Sequence, residues 1–350
     1  MKKQLIKVFF DIRFLLILLF CILTSAALSA PESPDSSNKK TQMMFGDTSR
    51  RGVPYSKDPH VIFFKGRYLM YYSIPPYSNE AQNPIKGWGI GISFSTNLVH
   101  WTSIGTITPS QECDAKGLCA PCARVIDGKV HLFYQTYGNG KKDAICHASS
   151  TDGITFDKNP TNPIFHPQSD TWNCGRAIDA ELFRFRDTYY LYYATRDTEF
   201  KRQLLGVAST PVVEGDSHNF DRDRWTDLSV KEPLLSPELP WEGDCIEGAS
   251  LIEHNGKLYM FYAGAFNNSP QQIGVAVSQD AITWTRLSEH PFLPNGAPGS
   301  WNQSESGHPH IFEAPDGRTY LFYQGNNTRG KDWYLSQREV LWETGSPKLK

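Results

Sequence analysis

The chain has 350 residues, a formal net charge of −2 and 13% aromatic side chains. This nearly balanced charge provides no polycationic surface, so a nucleic-acid partner is not expected. Hydrophobic residues make up 39% of the chain, which is enough apolar material for a large core and excludes a disordered protein.

The first predicted element is a secretory signal peptide over residues 1–29. Lys2, Lys3 and Lys7 precede an apolar run from Leu15 to Leu23, and small residues follow that run, as in exported precursors. An uncleaved membrane anchor is the alternative, although the apolar run is short for a span. We therefore expect an exported protein, periplasmic or extracellular, with no stable membrane span after cleavage of the signal.

Residues 30–50 are rich in proline, serine and lysine and predict a flexible lead-in. Residues 51–345 then repeat one pattern five times: an apolar strand, a tight turn, and a second strand that closes on a tyrosine. The turn residues are Gly66, Gly128, Asp187, Gly256 and Gly317, and the closing tyrosines are Tyr72, Tyr134, Tyr193, Tyr262 and Tyr323. Each tyrosine lies six residues after its turn, and the turns recur about every 60 residues.

A repeat of this length with several strands per unit is typical of propeller blades. Further strand-like segments such as 89–94 and 273–277 follow the hairpins, and no long amphipathic helix competes with them. The sequence therefore predicts an all-β, single-domain, five-bladed β-propeller. A β-sandwich is the alternative, but it would leave the repeat unexplained.

Six cysteines follow the predicted signal peptide: Cys113, Cys119, Cys122, Cys146, Cys174 and Cys245. An even number in an exported chain predicts disulfide bonds, although the sequence does not give their connectivity. Cys174 and Cys245 flank inner strands of neighbouring predicted blades and are one candidate pair. The short spacing of Cys113, Cys119 and Cys122 leaves a zinc knuckle as an alternative.

Ionisable residues stand where four of the five innermost strands begin. Asp58, Asp179, Glu247 and His308 precede their turns by eight or nine residues. Because the first strand of each blade lines the central axis of a propeller, we expect these four side chains to converge at one level at one end of the axis.

Three carboxylates in a partly dry funnel repel one another, which raises at least one pKa and suggests chemistry. Hydrolysis of a glycosidic bond requires such a set, because one carboxylic acid protonates the leaving oxygen and one carboxylate activates water or attacks the sugar. The alternative is that these residues cap strands or bind a structural cation.

These motifs resemble the five-bladed propeller glycosidases of glycoside hydrolase family 43 and its relatives, which include arabinofuranosidases, xylosidases and arabinanases. The resemblance covers residues from about 50 to 340 and rests on Asp58-Pro59, Ile178-Asp179, Glu247-Gly248 and Gly307-His308. Ala180 and Ala249 stand where prolines are common in the family. A related family of propeller glycosidases, such as family 117, is therefore an alternative.

The resemblance implies that Asp58 is the general base, Asp179 the residue that orients the sugar and modulates a pKa, and Glu247 the general acid. It implies an inverting reaction, with base and acid about 6.5–9.5 Å apart. No cofactor is expected to be required, although His308 would help to hold a Ca²⁺ or another axial cation. The implied partner is a carbohydrate from plant or algal material; the oligomeric state is not indicated.

Four further residues are candidates for substrate binding. Trp172, Trp241 and Trp301 precede inner strands and could stack on sugars, with ordinary packing as the alternative. Arg176 could contact a hydroxyl or an acidic sugar, with a salt bridge as the alternative. Two other functions remain open: a non-catalytic sugar-binding propeller, and a glycoside phosphorylase, which needs basic residues beside the base to hold phosphate.

Overall fold

A computed structural model describes residues 42–168 and 171–350 of the chain. The predicted signal peptide and residues 30–41 of the predicted lead-in lie outside the described residues. Within the described ranges, no helix combines the length and the apolar character needed to cross a membrane.

The described residues form five antiparallel sheets of four strands each, arranged as a five-bladed β-propeller, which confirms the predicted fold. Blade one contains β1 (Lys57–Phe64), β2 (Arg67–Ile74), β3 (Gly89–Ser95) and β4 (Thr102–Ile107). Blade two contains β5 (Leu118–Ile126), β6 (Lys129–Thr136), β7 (Ile145–Ser150) and β8 (Asp157–Lys158). Blade three contains β9 (Ile178–Phe185), β10 (Thr188–Arg196), β11 (Gln203–Pro211) and β12 (Thr226–Asp227).

Blade four contains β13 (Ile246–His254), β14 (Lys257–Gly264), β15 (Gln272–Ser278) and β16 (Thr285–Arg286). Blade five contains β17 (Glu305–Glu313), β18 (Thr319–Asn326), β19 (Tyr334–Glu343) and β20 (Ser346–Leu349). Single 3₁₀ turns lie at Glu80–Gln82, Gly140–Lys142, Arg222–Arg224 and Pro240–Glu242. The inner strands β1, β5, β9, β13 and β17 contact one another in a closed ring.

The repeated turns and tyrosines have clear structural roles. The turn pairs Lys65-Gly66, Asp127-Gly128 and Asn255-Gly256 have positive φ at both positions, which is the conformation that two-residue hairpins with the native strand twist prefer. All five closing tyrosines are buried. Four of their hydroxyls donate to carboxylates, on Asp47, Asp114, Asp227 and Glu242, so the apolar blade cores hold the phenol groups without leaving them unpaired.

Glu181 of β9 links four blades at the central axis. Its carboxylate contacts His60 Nε2 at 3.3 Å and the thiol of Cys122 at 3.1 Å, forms an ion pair with Arg124, and accepts the Leu251 N–H at 2.9 Å. Blade five joins through His310, whose ring centroid lies 3.7 Å from that of His60. This buried network fixes the inner strands below the polar end of the axis.

Packed structure continues past both predicted boundaries of the propeller. Met43 is buried in the core, Phe45 pairs with Leu335 of β19, and Arg50 is also buried, so the described part of the predicted lead-in is packed structure. At the other end, β20 extends to Leu349 and pairs with β19. The packed structure therefore begins before residue 51 and ends after residue 345. The strand that completes blade five, β20, has only four residues, which is too short to show a clear alternation of polar and apolar side chains in the sequence.

The six described cysteines are free thiols in this structure. Cys122 contacts Glu181, whereas the Sγ atom of Cys113 lies 3.9 Å from that of Cys146. Among the described residues, Cys113, Cys119 and Cys122 do not come together in one group of potential metal ligands, and Cys122 instead lies with His60 and Glu181. The zinc-knuckle alternative therefore has no support.

Candidate active site

The structure brings Asp58, Asp179, Glu247 and His308 into one pocket at the end of the axis where the inner strands begin. The pocket holds about 690 Å³ of space that opens to solvent. Its remaining lining residues are Lys57, Trp88, Cys119, Gln135, Tyr137, Arg176, Ile178, Arg196, Gln203, Phe266 and Asn267. A polar pocket with a few aromatic side chains is suited to a small polar ligand such as a sugar.

Each inner strand has a bulge where it enters the pocket. The pairing register shifts between Lys57 and His60 in β1, and at the corresponding points of the other four inner strands. One residue of each bulge has positive φ: Asp58 at 52°, Ala120 at 48°, Asp179 at 52°, Gly248 at 60° and His308 at 42°. Four of these five residues are not glycine. Left-handed backbone at such residues is uncommon and clusters at functional sites.

Glutamines of neighbouring blades hold two of these bulges. The Asp58 N–H donates to Gln324 Oε1 of blade five at 2.8 Å, and the Asp179 N–H donates to Gln135 Oε1 of blade two at 2.8 Å. The two aspartates thus occupy equivalent positions with equivalent support. Because both backbone amides are satisfied from outside their own blade, the carboxylates remain free to face the pocket.

Glu247 does not lie at the level that the sequence predicts. The residue equivalent to Asp58 and Asp179 in blade four is Gly248, so Glu247 precedes that position by one residue. A Cβ atom on residue 248 would lie only 3.2 Å from His308 Nδ1, which explains why the bulge position itself has no side chain. Glu247 instead reaches the pocket between two amides, because Gln203 and Gln271 each donate to one of its oxygens.

His308 connects the acids. Its Nδ1 atom lies 3.2 Å from Asp58 Oδ1, and one ligand atom from each of Asp179, Glu247 and His308 lies within 4.8 Å of the other two. These three residues could hold a cation. Calcium prefers about six to eight oxygen ligands, so waters would have to supply most of its coordination shell here.

Burial and like charge perturb the acids of the site. Burial, followed by repulsion from Glu247, raises the pKa of Asp179 to about 7. Burial also raises the pKa of Glu305 to about 7, although Lys57 opposes the shift. Glu305 lies behind the pocket, where it accepts from Gln324 Nε2 at 2.7 Å and from the Asn268 N–H at 2.7 Å. No repeat position marks Glu305 in the sequence, since it precedes the His308 motif.

Lys57 is the buried cation beside these acids. Its ammonium donates to Asn267 Oδ1 at 2.8 Å and lies 4.7 Å from the centroid of a Trp333 ring. Burial disfavours the charged form, but Asp58, Glu305 and Glu247 outweigh that effect and keep the Lys57 pKa above its ordinary value. The pocket is therefore a mixed-charge site rather than a purely acidic one.

These pKa shifts predict that the free energy of unfolding falls as pH rises from about 4 to about 7. The unfolded values are near 4 and the folded values of Asp179 and Glu305 are about 7, so the folded state binds more protons in this window and is stabilised at its acidic end. We expect Asp179→Asn to flatten the decline, measured by urea unfolding at several pH values. The exposed Glu313→Gln is the control, and an unchanged slope in Asp179→Asn would contradict the shift.

The structure separates the four predicted binding residues. Arg176 lines the pocket, but Trp172, Trp241 and Trp301 do not. Trp172 Nε1 donates to Ser229 O at 2.6 Å, whereas Trp241 stacks on Tyr262 and Trp301 packs on Tyr323, with centroids 5.9 and 5.7 Å apart. The three tryptophans lie in packed loops, and their predicted role as stacking platforms has no support in this geometry.

The aromatic side chains that do line the pocket are Trp88, Tyr137 and Phe266. Trp88 lies at the end of the segment between β2 and β3 and packs on Tyr137, with centroids 5.7 Å apart. No repeat position marks Tyr137 or Phe266 in the sequence. Only their place just after the second strands of blades two and four, at the pocket end, could have indicated them.

Comparisons with known proteins agree with this architecture. The family model for glycosyl hydrolases family 43 matches residues 53–344. A xylosidase/arabinosidase from Butyrivibrio fibrisolvens is 25% identical over 281 residues, which is 74% of this chain and 49% of that protein. A 1,2-beta-oligomannan phosphorylase from Thermoanaerobacter sp. (strain X514) is 25% identical over 227 residues, which is 63% of this chain and 67% of that protein.

The fold also has a solved counterpart. The crystal structure of a thermostable family-43 glycoside hydrolase superposes with a TM-score of 0.65 at 24% identity, over 84% of this chain and 92% of that one. At this identity the likeness shows the fold. The chain spans half or less of the length of the hydrolases among its curated relatives. Since the family model extends over most of the propeller and includes all four motif residues of the pocket, the chain belongs to glycosyl hydrolases family 43.

Proposed function

We propose that the protein is an inverting glycosidase that cleaves arabinofuranosyl or xylosyl linkages in plant or algal oligosaccharides and polysaccharides. The observation that carries the proposal is the convergence of Asp58, Asp179 and Glu247 in one pocket, with both aspartates on bulges that glutamines of neighbouring blades support. Membership of the family and the xylosidase/arabinosidase relative are consistent with it.

The proposed reaction is a single displacement. Glu247 donates its proton to the glycosidic oxygen while the bond from that oxygen to the anomeric carbon breaks. A water molecule attacks the same carbon from the opposite face and gives one proton to Asp58. Asp179 orients the sugar, and burial together with repulsion from Glu247 raises its pKa to about 7. After product release, proton exchange with solvent restores both groups.

No bound cofactor enters this scheme. If a cation binds, Asp179, Glu247 and His308 would hold it, and it would offset the charge of the carboxylates. We propose that hydrolysis does not require it.

The test of the proposed function is a panel of aryl arabinofuranosides, xylosides and galactosides together with arabinan and xylan fragments. Proton NMR of the first product formed reads the anomeric configuration before mutarotation. We expect hydrolysis of at least one furanoside or xyloside with inversion. Retention at the anomeric carbon would contradict the assigned roles, and binding without turnover of any member would instead support the non-catalytic sugar-binding alternative.

Phosphorolysis is the second candidate, and one observation favours it. Lys57, Arg176 and Arg196 line the same pocket as the acids, which supplies the basic groups that a phosphate nucleophile needs. The oligomannan phosphorylase relative is consistent with this reaction. The same panel with inorganic phosphate distinguishes the two candidates, because a phosphorylase releases a sugar 1-phosphate and stalls when phosphate is omitted.

We also propose that the protein is exported to the periplasm or the extracellular space, on the basis of the signal-like residues 1–29. In an oxidising compartment a disulfide is expected. Among the described residues, Cys113 and Cys146 are the two cysteines whose thiols are in contact, at 3.9 Å. The Cys174–Cys245 pairing has no comparable contact.

We expect Cys113 and Cys146 to form a disulfide when the protein is treated with oxidised glutathione, which accepts the two electrons and two protons that the thiols release. The measurement is mass spectrometry after alkylation under non-reducing conditions. A Cys113–Cys146 cross-linked peptide is the expected product, and Cys174→Ser is the matched control that should leave it unchanged. Complete alkylation of both thiols after oxidation would contradict this pairing.

A further inference from the structure

Two arginines lie side by side on the blade-three side of the pocket. The Cys174 N–H donates to Arg196 O at 2.9 Å, which fixes the segment that carries Arg176 along the end of β10. Both guanidinium groups face the ring of Phe200, with their carbon atoms 5.7 Å (Arg176) and 4.9 Å (Arg196) from its centroid. The two cations are therefore built into a common wall.

Arg176 is only partly satisfied by the protein. Its Nη2 atom lies 3.6 Å from Asp143 Oδ2, beyond ordinary hydrogen-bond length, and its Nε atom is buried without a partner among the described residues. The side chain is 11% exposed. A buried donor without an acceptor is costly, so the protein alone leaves this guanidinium short of partners, and the part of the side chain that stays exposed lines the pocket.

Arg196 is held in place beside the reacting centre. Its guanidinium lies over the rings of Phe200 and Phe266, at 4.9 and 4.7 Å from their centroids. Its Nε atom donates to Gln203 Oε1 at 3.1 Å, and the amide nitrogen of Gln203 donates to Glu247. This chain couples Arg196 to the proposed acid, so an anionic group held here would lie next to the scissile bond.

The pocket is lined by as many cations as acids. Three cations, Lys57, Arg176 and Arg196, line it together with Asp58, Asp179 and Glu247. The three cations match the three acids in number, and Asp143, 3.6 Å from Arg176, is a further carboxylate on that side.

We infer that Arg176, with Arg196, forms a subsite for the carboxylate of an acidic sugar, so that the preferred substrate contains a uronic acid next to the cleaved linkage. A carboxylate presents two oxygens to a guanidinium, which a hydroxyl does not. This inference rests on the proposed function, since it names the substrate class for the same pocket. Inorganic phosphate shares the anionic oxygens and is the other source that the experiment must separate.

The test is calorimetric binding to Glu247→Gln, so that no turnover complicates the measurement. The probes are matched pairs that differ only at C6: methyl galacturonide against methyl galactoside, and methyl glucuronide against methyl glucoside. We expect the acidic member of at least one pair to bind about tenfold more tightly or better, which corresponds to one charge-assisted contact. Raised salt should reduce this ratio.

In the Arg176→Met, Glu247→Gln double variant, the ratio of the two affinities should fall towards one. The control is the Arg184→Met, Glu247→Gln double variant, which removes an exposed arginine paired with Glu214 and should keep the ratio of Glu247→Gln alone. Arg176→Lys separates loss of the contact from misfolding of the site, because lysine keeps the positive charge and should retain part of the preference for the acidic sugar. Equal affinity for both members of every pair, or a preference that survives Arg176→Met, would overturn the inference. Arg176-dependent binding of inorganic phosphate without any uronate preference would also overturn it.

The two proposals fail separately in this design. If the wild type hydrolyses no glycoside of the panel but Glu247→Gln still prefers the acidic sugars, the result counts against the proposed reaction alone. Hydrolysis of neutral glycosides by the wild type, without a uronate preference in Glu247→Gln, counts against the acidic-sugar subsite alone.

Discussion

Glu247→Gln should lower kcat on an alkyl-glycoside or oligosaccharide substrate by about 10²–10⁴-fold, the usual contribution of a general acid. Glutamine keeps the shape of the side chain and its position between Gln203 and Gln271, so the loss should come from the missing proton. A substrate with a dinitrophenyl leaving group needs no protonation, and the deficit should shrink on it. Circular dichroism should show an unchanged fold.

Asp58→Asn is the informative partner of that variant. It should lose a similar factor, but with both kinds of leaving group, because the missing step is the activation of water. Its backbone N–H bond to Gln324 does not depend on the carboxylate, so the bulge should persist. Equal leaving-group dependence in the two variants would contradict the assignment of acid and base.

Glu181→Ala should lower the free energy of unfolding by about 3–5 kcal/mol, because it leaves the Arg124 cation inside the structure without its partner. Glu181 is 1% exposed and also accepts hydrogen bonds from Cys122 and the Leu251 N–H. The loss should appear as a lower midpoint of urea unfolding with an unchanged m-value.

Glu253→Ala on β13 is the matched control for Glu181→Ala, since Glu253 is an exposed glutamate on a neighbouring inner strand. Its effect should remain within about 0.5 kcal/mol. A Glu181→Ala variant as stable as this control would show that the axial network does not hold the blades together.

The repeat made the fold predictable because each blade is built on the same local hairpin. A tight turn and a tyrosine six positions after its turn residue fix one hairpin, and the residue opposite the tyrosine is small, as at Gly91, Gly206 and Gly274. A Cβ at each of these glycines would lie 2.4–2.6 Å from the tyrosine ring. Such local constraints are visible in one chain without any knowledge of long-range contacts.

The candidate site was predictable only where it follows the repeat. Asp58, Asp179 and His308 lie on the bulge positions, so their spacing from the turns indicated their convergence. Glu247 lies one residue earlier, and the sequence could not show this because Gly248 occupies the bulge. The supporting glutamines Gln135, Gln203, Gln271 and Gln324 were missed, since they come from second and third strands or adjoining loops.

The tryptophan predictions were the weakest for a related physical reason. Trp241 and Trp301 precede inner strands, but both pack against closing tyrosines of their own blades. Their ring faces are used in these packing contacts and do not line the pocket. Pocket aromatics such as Phe266 belong to loops whose paths depend on several blades at once. The only local signal for them is their position just after a second strand at the pocket end.

The most direct measurement is a crystal structure of Glu247→Gln with a bound oligosaccharide substrate. We expect the glycosidic oxygen to lie about 2.6–3.2 Å from the amide of residue 247. A water should lie between Asp58 and the opposite face of the anomeric carbon, with Asp179 on the sugar. A substrate bound outside this pocket, or one whose scissile bond faces none of the three acids, would contradict the account.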